Sequence, residues 1–197
     1  ELRERAMRLF SSYVQALEVS PADLYNPARQ EVHSGLVSRI ARDIIAVLGA
    51  PDLWCMEHGA HIHRGVIEAH IHLQWMSMQG ESIYETYQNY GRGKAKLYAR
   101  ILNELPTDVR PSGFDEGIAG LEKLSRNDDI FDSRVVDTRD SFAEGTSLRA
   151  MAAACGLLEL YRSAYAISSG VTHSEWWSVE NHSMERCVNV LHRGHLI

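Results

Sequence analysis

The chain of 197 residues has few cysteines, prolines and lysines, and no long apolar run. Each shortage excludes something. The three cysteines, Cys55, Cys155 and Cys187, stand far apart, and no Cys-x-x-Cys pair exists. A zinc ribbon and a thioredoxin-like redox site are therefore excluded. A disulfide framework fits poorly, and a reducing cytoplasm is the expected location. No stretch approaches the roughly 20 apolar residues needed to cross a bilayer, and no secretory-signal pattern stands at the start. No membrane partner is expected.

Positive charge is also short. The formal net charge is −6, which gives no general attraction to nucleic acid. The deficit is local, because residues 115–144 hold nine acidic side chains against four basic ones. The remainder is close to neutral, so a basic groove elsewhere stays open. The 17 arginines against 3 lysines are given no functional weight.

Only five prolines occur, and none interrupts a long periodic segment. Glycine-rich hairpin signals are scarce, and apolar residues recur with a period near 3.6. That pattern predicts an all-α protein. Helices are expected over about Leu2–Leu17, Ala28–Leu48, Trp54–Gln79, Glu81–Leu105 and Asp115–Ser125. Met7, Leu9, Phe10, Val14 and Leu17 mark the apolar side of the first, and Val32, Leu36, Ile40, Ile44 and Leu48 that of the second. Gly91-Arg92-Gly93 is expected to weaken or bend the fourth. A further helix starts near Thr146, with Gly156 separating it from Leu157–Ser169. Gly170 is expected to break the pattern, with Thr172 capping a last helix from His173. Trp176 and Trp177 read as core anchors. Long helices on short loops pack best as an antiparallel bundle. The expected architecture is a single domain over residues 1–197, with an acidic, partly irregular insert at about 115–144.

The stretch "EHGAHIHRGVIEAHIHLQW" carries five of the ten histidines: His58, His61, His63, His70 and His72. Each helical residue turns about 100°, so these side chains do not converge. Arg64, Glu68 and His72, spaced by four, share one stripe. His63 and His70 share an adjoining face with Ile67. The His-Glu-x-x-His and Glu-x-x-His metal motifs are absent, although Glu68 and His72 would supply two ligands to a metal completed by His173. The ordinary reading of Arg64 and Glu68 is a surface ion pair worth a few tenths of a kcal/mol. Against it, Glu68 is the only ionised side chain between Arg64 and Glu81. A helix so apolar is expected at the bundle's centre, where a charged pair often marks a site.

A second candidate lies in "LYRSAYAISSGVTHSEWW". His173 stands near a helix break, free to reach a neighbour. Tyr161, Tyr165 and Ser169 form a stripe at four-residue spacing. For the two tyrosines the preferred reading is a buried pair whose hydroxyls are satisfied locally. "YGRGKAKLYAR" is the only basic cluster, with Arg92, Lys94, Lys96 and Arg100. It matches no phosphate-loop motif and reads as a solvated face or a phosphate-contacting patch.

"HRGVIEAHIHLQWM" followed by "YETYQNYGRGKAKL", together with "LYRSAYAISSGVTHSEWW", resembles domain-of-unknown-function family 5677, a group of bacterial helical proteins. The resemblance covers about residues 28–180. Ser174 departs from it, since a small, glycine-like residue is expected after the histidine. Helical families of this kind are compared with the HEPN superfamily, whose members include metal-independent ribonucleases of toxin–antitoxin and phage-defence systems. Those act as dimers with an Arg-x4–6-His motif at the interface. Here the arginine is missing before His173, and Arg64 would have to supply it.

The resemblance implies a HEPN-like effector that binds or cleaves RNA as a homodimer without a cofactor. His173 would then be general acid and base. Arg64 would stabilise phosphoryl charge, and Glu68 would hold Arg64. Ser169, Arg92 and Lys94 would contact substrate. A non-catalytic ligand-sensing or interaction module stands beside it. A metal-binding bundle on Glu68, His72 and His173 is the third alternative.

Overall fold

The computed structural model describes residues 1–19, 25–125, 137–189, 191 and 196. Among them no strand forms, and one isolated antiparallel bridge links Arg186 to Leu196. The helices are α1 (Leu2–Val19), α2 (Pro27–Gly49), α3 (Met56–Ser77), α4 (Ser82–Asn103), α5 (Phe114–Ser125), α6 (Leu148–Ala154), α7 (Leu158–Leu160), α8 (Ala166–Thr172) and α9 (Trp176–Ser183). The all-α bundle expected from the periodicity is the observed fold class. The contacts gather into two compact units, residues 1–79 with 148–197, and residues 80–147.

In the larger unit α3 is the organising element, packed against α2, α6 and α8. It buries Ala60, Ile67, Ala69, Ile71, Leu73 and Met76. Around the helix these fall into two groups, one near Ile67 and Ile71 and one near Leu73 and Met76, so α3 is covered on two sides. Helix α2 opens with Pro27, whose fixed φ suits a first helical turn. A 3-10 turn, Pro51–Leu53, leads into α3. The Trp54 indole N–H closes that turn on the Val47 carbonyl at 2.7 Å. The turn crowds Gly59, where a Cβ would stand 2.8 Å from the Leu53 carbonyl oxygen.

Several expected details are corrected. Met7 and Leu9 of α1 are 42% and 67% exposed, since α1 packs chiefly on α2. Helix α4 continues through Gly91 and Gly93 without a break. Each glycine costs about 1 kcal/mol in a helix, and α4 packs against α5. Helix α8 likewise runs through Gly170 to Thr172. The Thr172 hydroxyl donates back to the Ser168 carbonyl at 2.9 Å instead of capping α9. Trp176 and Trp177 are 61% and 42% exposed rather than core anchors. Trp177 donates its indole N–H to Glu175 at 2.7 Å.

In the smaller unit Arg110 ties the loop between α4 and α5. Its guanidinium donates to the Asn103 and Leu105 carbonyls and pairs with Asp115 at 2.9 Å. The acidic insert begins as α5, and its residues 126–136 lie outside the described ones.

Two helix ends share one motif. After α6, Gly156 adopts φ +72. The Leu157 N–H bonds to the Ala152 carbonyl and the Gly156 N–H to that of Ala153. This is the Schellman arrangement, which needs a left-handed residue. After α8, Glu175 N–H reaches the Gly170 carbonyl and Ser174 N–H that of Val171. Here the left-handed position, φ +53, is filled by Ser174. The glycine expected after His173 is thus the residue this backbone prefers.

Candidate functional site

The seam between α3 and the segment ending in α8 is crossed by a cluster of polar contacts. Leu158–Leu160 is a single helical turn. Tyr161–Tyr165 then widens into a π turn before α8 resumes. Such turns accompany functional sites more often than regular helix does. Tyr165 and Ser168 are buried at 8% and 0% exposure, while Ser169 is only half-buried.

Arg64 and Glu68 form an ion pair at 3.7 Å, with side chains 30% and 36% exposed. The Tyr165 hydroxyl donates to Glu68 Oε2 at 3.4 Å. The Arg64 guanidinium lies over the Tyr165 ring, 5.3 Å from its centroid. Tyr161 stacks on Tyr165 with centroids 5.0 Å apart and planes 21° apart. Arg64 is therefore held by a carboxylate and by an aromatic face. Its Nε is buried and has no hydrogen-bond partner among the described residues.

Electrostatics follow this packing. Burial raises the Tyr165 phenol above its ordinary pKa, the Glu68 carboxylate adds to the rise, and Arg64 opposes it. The phenol is thus a hydrogen-bond donor at neutral pH. One turn along from Glu68, burial lowers the pKa of His72, and the Glu68 charge pulls against that shift.

A second contact crosses the seam on its other flank. His63 Nδ1 lies 3.0 Å from the hydroxyl of the fully buried Ser168. His63 and Arg64 are consecutive, so they project about 100° apart around α3. The pairs His63–Ser168, Arg64–Tyr165 and Glu68–Tyr165 also set the register. Residue number rises along α3 as it falls along α8, so the two run antiparallel.

That register locates the expected site residues. Arg64 and Glu68 are brought together. His173 is the exposed residue that ends α8. It lies eight residues beyond Tyr165, about 12 Å along the helix axis, toward the start of α3. His72 lies in the opposite direction. Among the described residues no three His, Cys, Asp or Glu side chains gather to hold a metal ion. Ser169 gives its carbonyl to the His173 N–H at 2.9 Å. Arg92 and Lys94 belong to the smaller unit. There the Lys94 ammonium and the Arg139 guanidinium lie 5.4 and 5.8 Å from the Tyr90 ring centroid. Arg139 also pairs with Asp137 and holds that carboxyl below its usual range.

Sequence reasoning placed His63 on a face with His70 and Ile67 but gave it no role, assigned none to Ser168, and gave Tyr165 only a local one. Its hydroxyl partner is 97 residues away.

An all-α chain with a polar seam on its central helix is the class defined so far. Residues 30–187 match the model of a family of unknown function, DUF5677. The chain belongs to that family. No curated protein and no solved structure matches it significantly, so membership brings no activity with it.

Proposed function

We propose that this chain is an RNA-binding effector in which Arg64 receives a backbone phosphate. The observation that carries the reading is the state of Arg64: gripped by Glu68 and the Tyr165 ring, yet with its buried Nε unpaired. A guanidinium offers five donors in a rigid fork, and a buried donor without an acceptor costs about 1–3 kcal/mol. A phosphate oxygen that reaches the guanidinium from solvent, where the side chain is 30% exposed, meets a cation already oriented. Glu68 is then the positioning residue and not a ligand of the RNA.

The cleaving form of the same reading adds His173. Its imidazole takes the proton from a 2′-hydroxyl as that oxygen attacks phosphorus. It then returns the proton to the departing 5′-oxygen. Because His173 ends α8 well away from Tyr165, this step takes Arg64 and His173 from two copies of the chain, as a homodimer. The second reading is a binding module without chemistry. It is favoured by Arg64 already having its charge met by Glu68.

The test is incubation of the chain with end-labelled RNA in a metal chelator, read for binding and for cleavage. Cleavage abolished by both Arg64→Ala and His173→Ala supports the enzyme. Binding lost only in Arg64→Ala, with no cleavage, supports the module. No RNA binding by the unaltered chain overturns both.

A further inference from the structure

Arg64 is not alone at this seam; it caps a short ladder of rings. Its guanidinium lies over Tyr165, and Tyr161 stacks on Tyr165 at 5.0 Å. Tyr165 is almost fully buried, whereas Tyr161 is partly exposed. Among the described residues Tyr161 has no ring contact other than Tyr165. Tyr161 is therefore the solvent end of the ladder. Both rings lie on the π turn, with planes 21° apart.

We infer that Tyr161 is a stacking platform for an unpaired nucleobase, adjoining the phosphate position at Arg64. This inference rests on the phosphate reading of Arg64 and names the ligand class more closely: single-stranded RNA. The physical case has three parts. A partly exposed aromatic ring near a cation, here one ring removed from it, is the pairing by which proteins hold single strands, the ring taking the base and the cation the backbone. The ring is preorganised, since Tyr165 behind it is fixed by Glu68 and by burial, so little ordering is needed on binding. The net charge of −6 gives no broad attraction to a duplex, which leaves affinity to a few local contacts. A base paired within a duplex has both faces covered and does not reach a platform of this kind.

The experiment compares a fluorescent single-stranded oligoribonucleotide, the same strand in a duplex, and inorganic polyphosphate as ligands, by anisotropy. Tyr161→Leu keeps apolar bulk without a ring, and Tyr161→Trp enlarges the ring. The unaltered chain should bind the single strand more tightly than the duplex. Tyr161→Leu should weaken single-strand binding by at least about fivefold, and Tyr161→Trp should retain it. Polyphosphate binding should be unchanged in both and lost in Arg64→Ala. Equal binding of the single strand by Tyr161→Leu and the unaltered chain, with Arg64→Ala still defective, overturns the platform and leaves the phosphate reading standing. Undiminished binding in Arg64→Ala overturns the phosphate reading, and the platform with it.

Discussion

The hydroxyl of Tyr165 reaches Glu68 Oε2 at 3.4 Å, joining a π turn near the C-terminal end of the chain to the middle of the central helix. Through it one carboxylate serves two partners, since Glu68 also pairs with Arg64. The bond is long and half-exposed, so its net contribution should be about 0.5–1 kcal/mol. Tyr165→Phe and Glu68→Ala, combined in a double-mutant cycle by urea denaturation, should show a coupling of that size. Zero coupling would mean that hydroxyl and carboxylate do not meet in solution.

Two glycines of α3 should respond oppositely to alanine. At Gly65 an added Cβ meets nothing within 4 Å. Gly65→Ala should therefore stabilise the fold by up to about 1 kcal/mol through helix propensity. At Gly59 the Cβ would stand 2.8 Å from the Leu53 carbonyl oxygen, and that oxygen is backbone and cannot swing aside. Gly59→Ala should lower the thermal midpoint despite the same propensity gain. Stabilisation by Gly59→Ala would show that the turn at Pro51–Leu53 does not pack against α3 as described.

Ser174 holds a left-handed conformation, φ +53, in the motif that ends α8. A non-glycine residue there carries about 1 kcal/mol of strain. Ser174→Gly should raise stability by somewhat less, because glycine also gains freedom in the unfolded chain. Differential scanning calorimetry of the pair decides it. Ser174→Val, whose branched side chain tolerates this region poorly, should move the midpoint the other way.

His72 should contribute a dependence of stability on pH. Burial places its pKa in the folded chain below the ordinary histidine value. As pH falls, the unfolded chain takes up this proton first. Folding stability is therefore intact above about pH 6.5 and declines below it, through the folded-state pKa. The loss between about pH 7.5 and about pH 5.5 should be smaller in His72→Gln than in the unaltered chain. Identical losses would mean that His72 titrates normally in the fold.

In the smaller unit, Arg110 meets two carbonyls of the α4 end and the Asp115 carboxylate. Arg110→Ala should strip these contacts and speed amide exchange at Leu105 and across the first turn of α5 more than at the middle of α4. Uniform exchange would show the loop to be held by other contacts.

How far the sequence reached depends on the range of the interaction. Helix α3, its apolar faces and the Arg64–Glu68 spacing were legible because each rests on contacts three or four residues apart, repeated with the helical period. The glycine-like residue expected at 174 came from the family resemblance, and the left-handed backbone there supplies its physical reason. The role of Tyr165 was not legible. Periodicity places Tyr161, Tyr165 and Ser169 on one stripe, yet beyond the π turn at Tyr161–Tyr165 it is Tyr165 and Ser168, three residues apart, that are buried. No spacing in the chain announces that turn, since one widened turn leaves the apolar period on either side intact. The pairing of His63 with Ser168, and of Glu68 with Tyr165, is likewise invisible to periodicity. Those contacts span about a hundred residues and exist only because α8 packs on α3 in one antiparallel register. By itself the sequence determined that this chain is helical and which helix is central, because helix formation and apolar periodicity are local. Only the tertiary structure decided that Arg64 is gripped by a carboxylate and a ring with one donor left over, because that depends on how two distant helices meet.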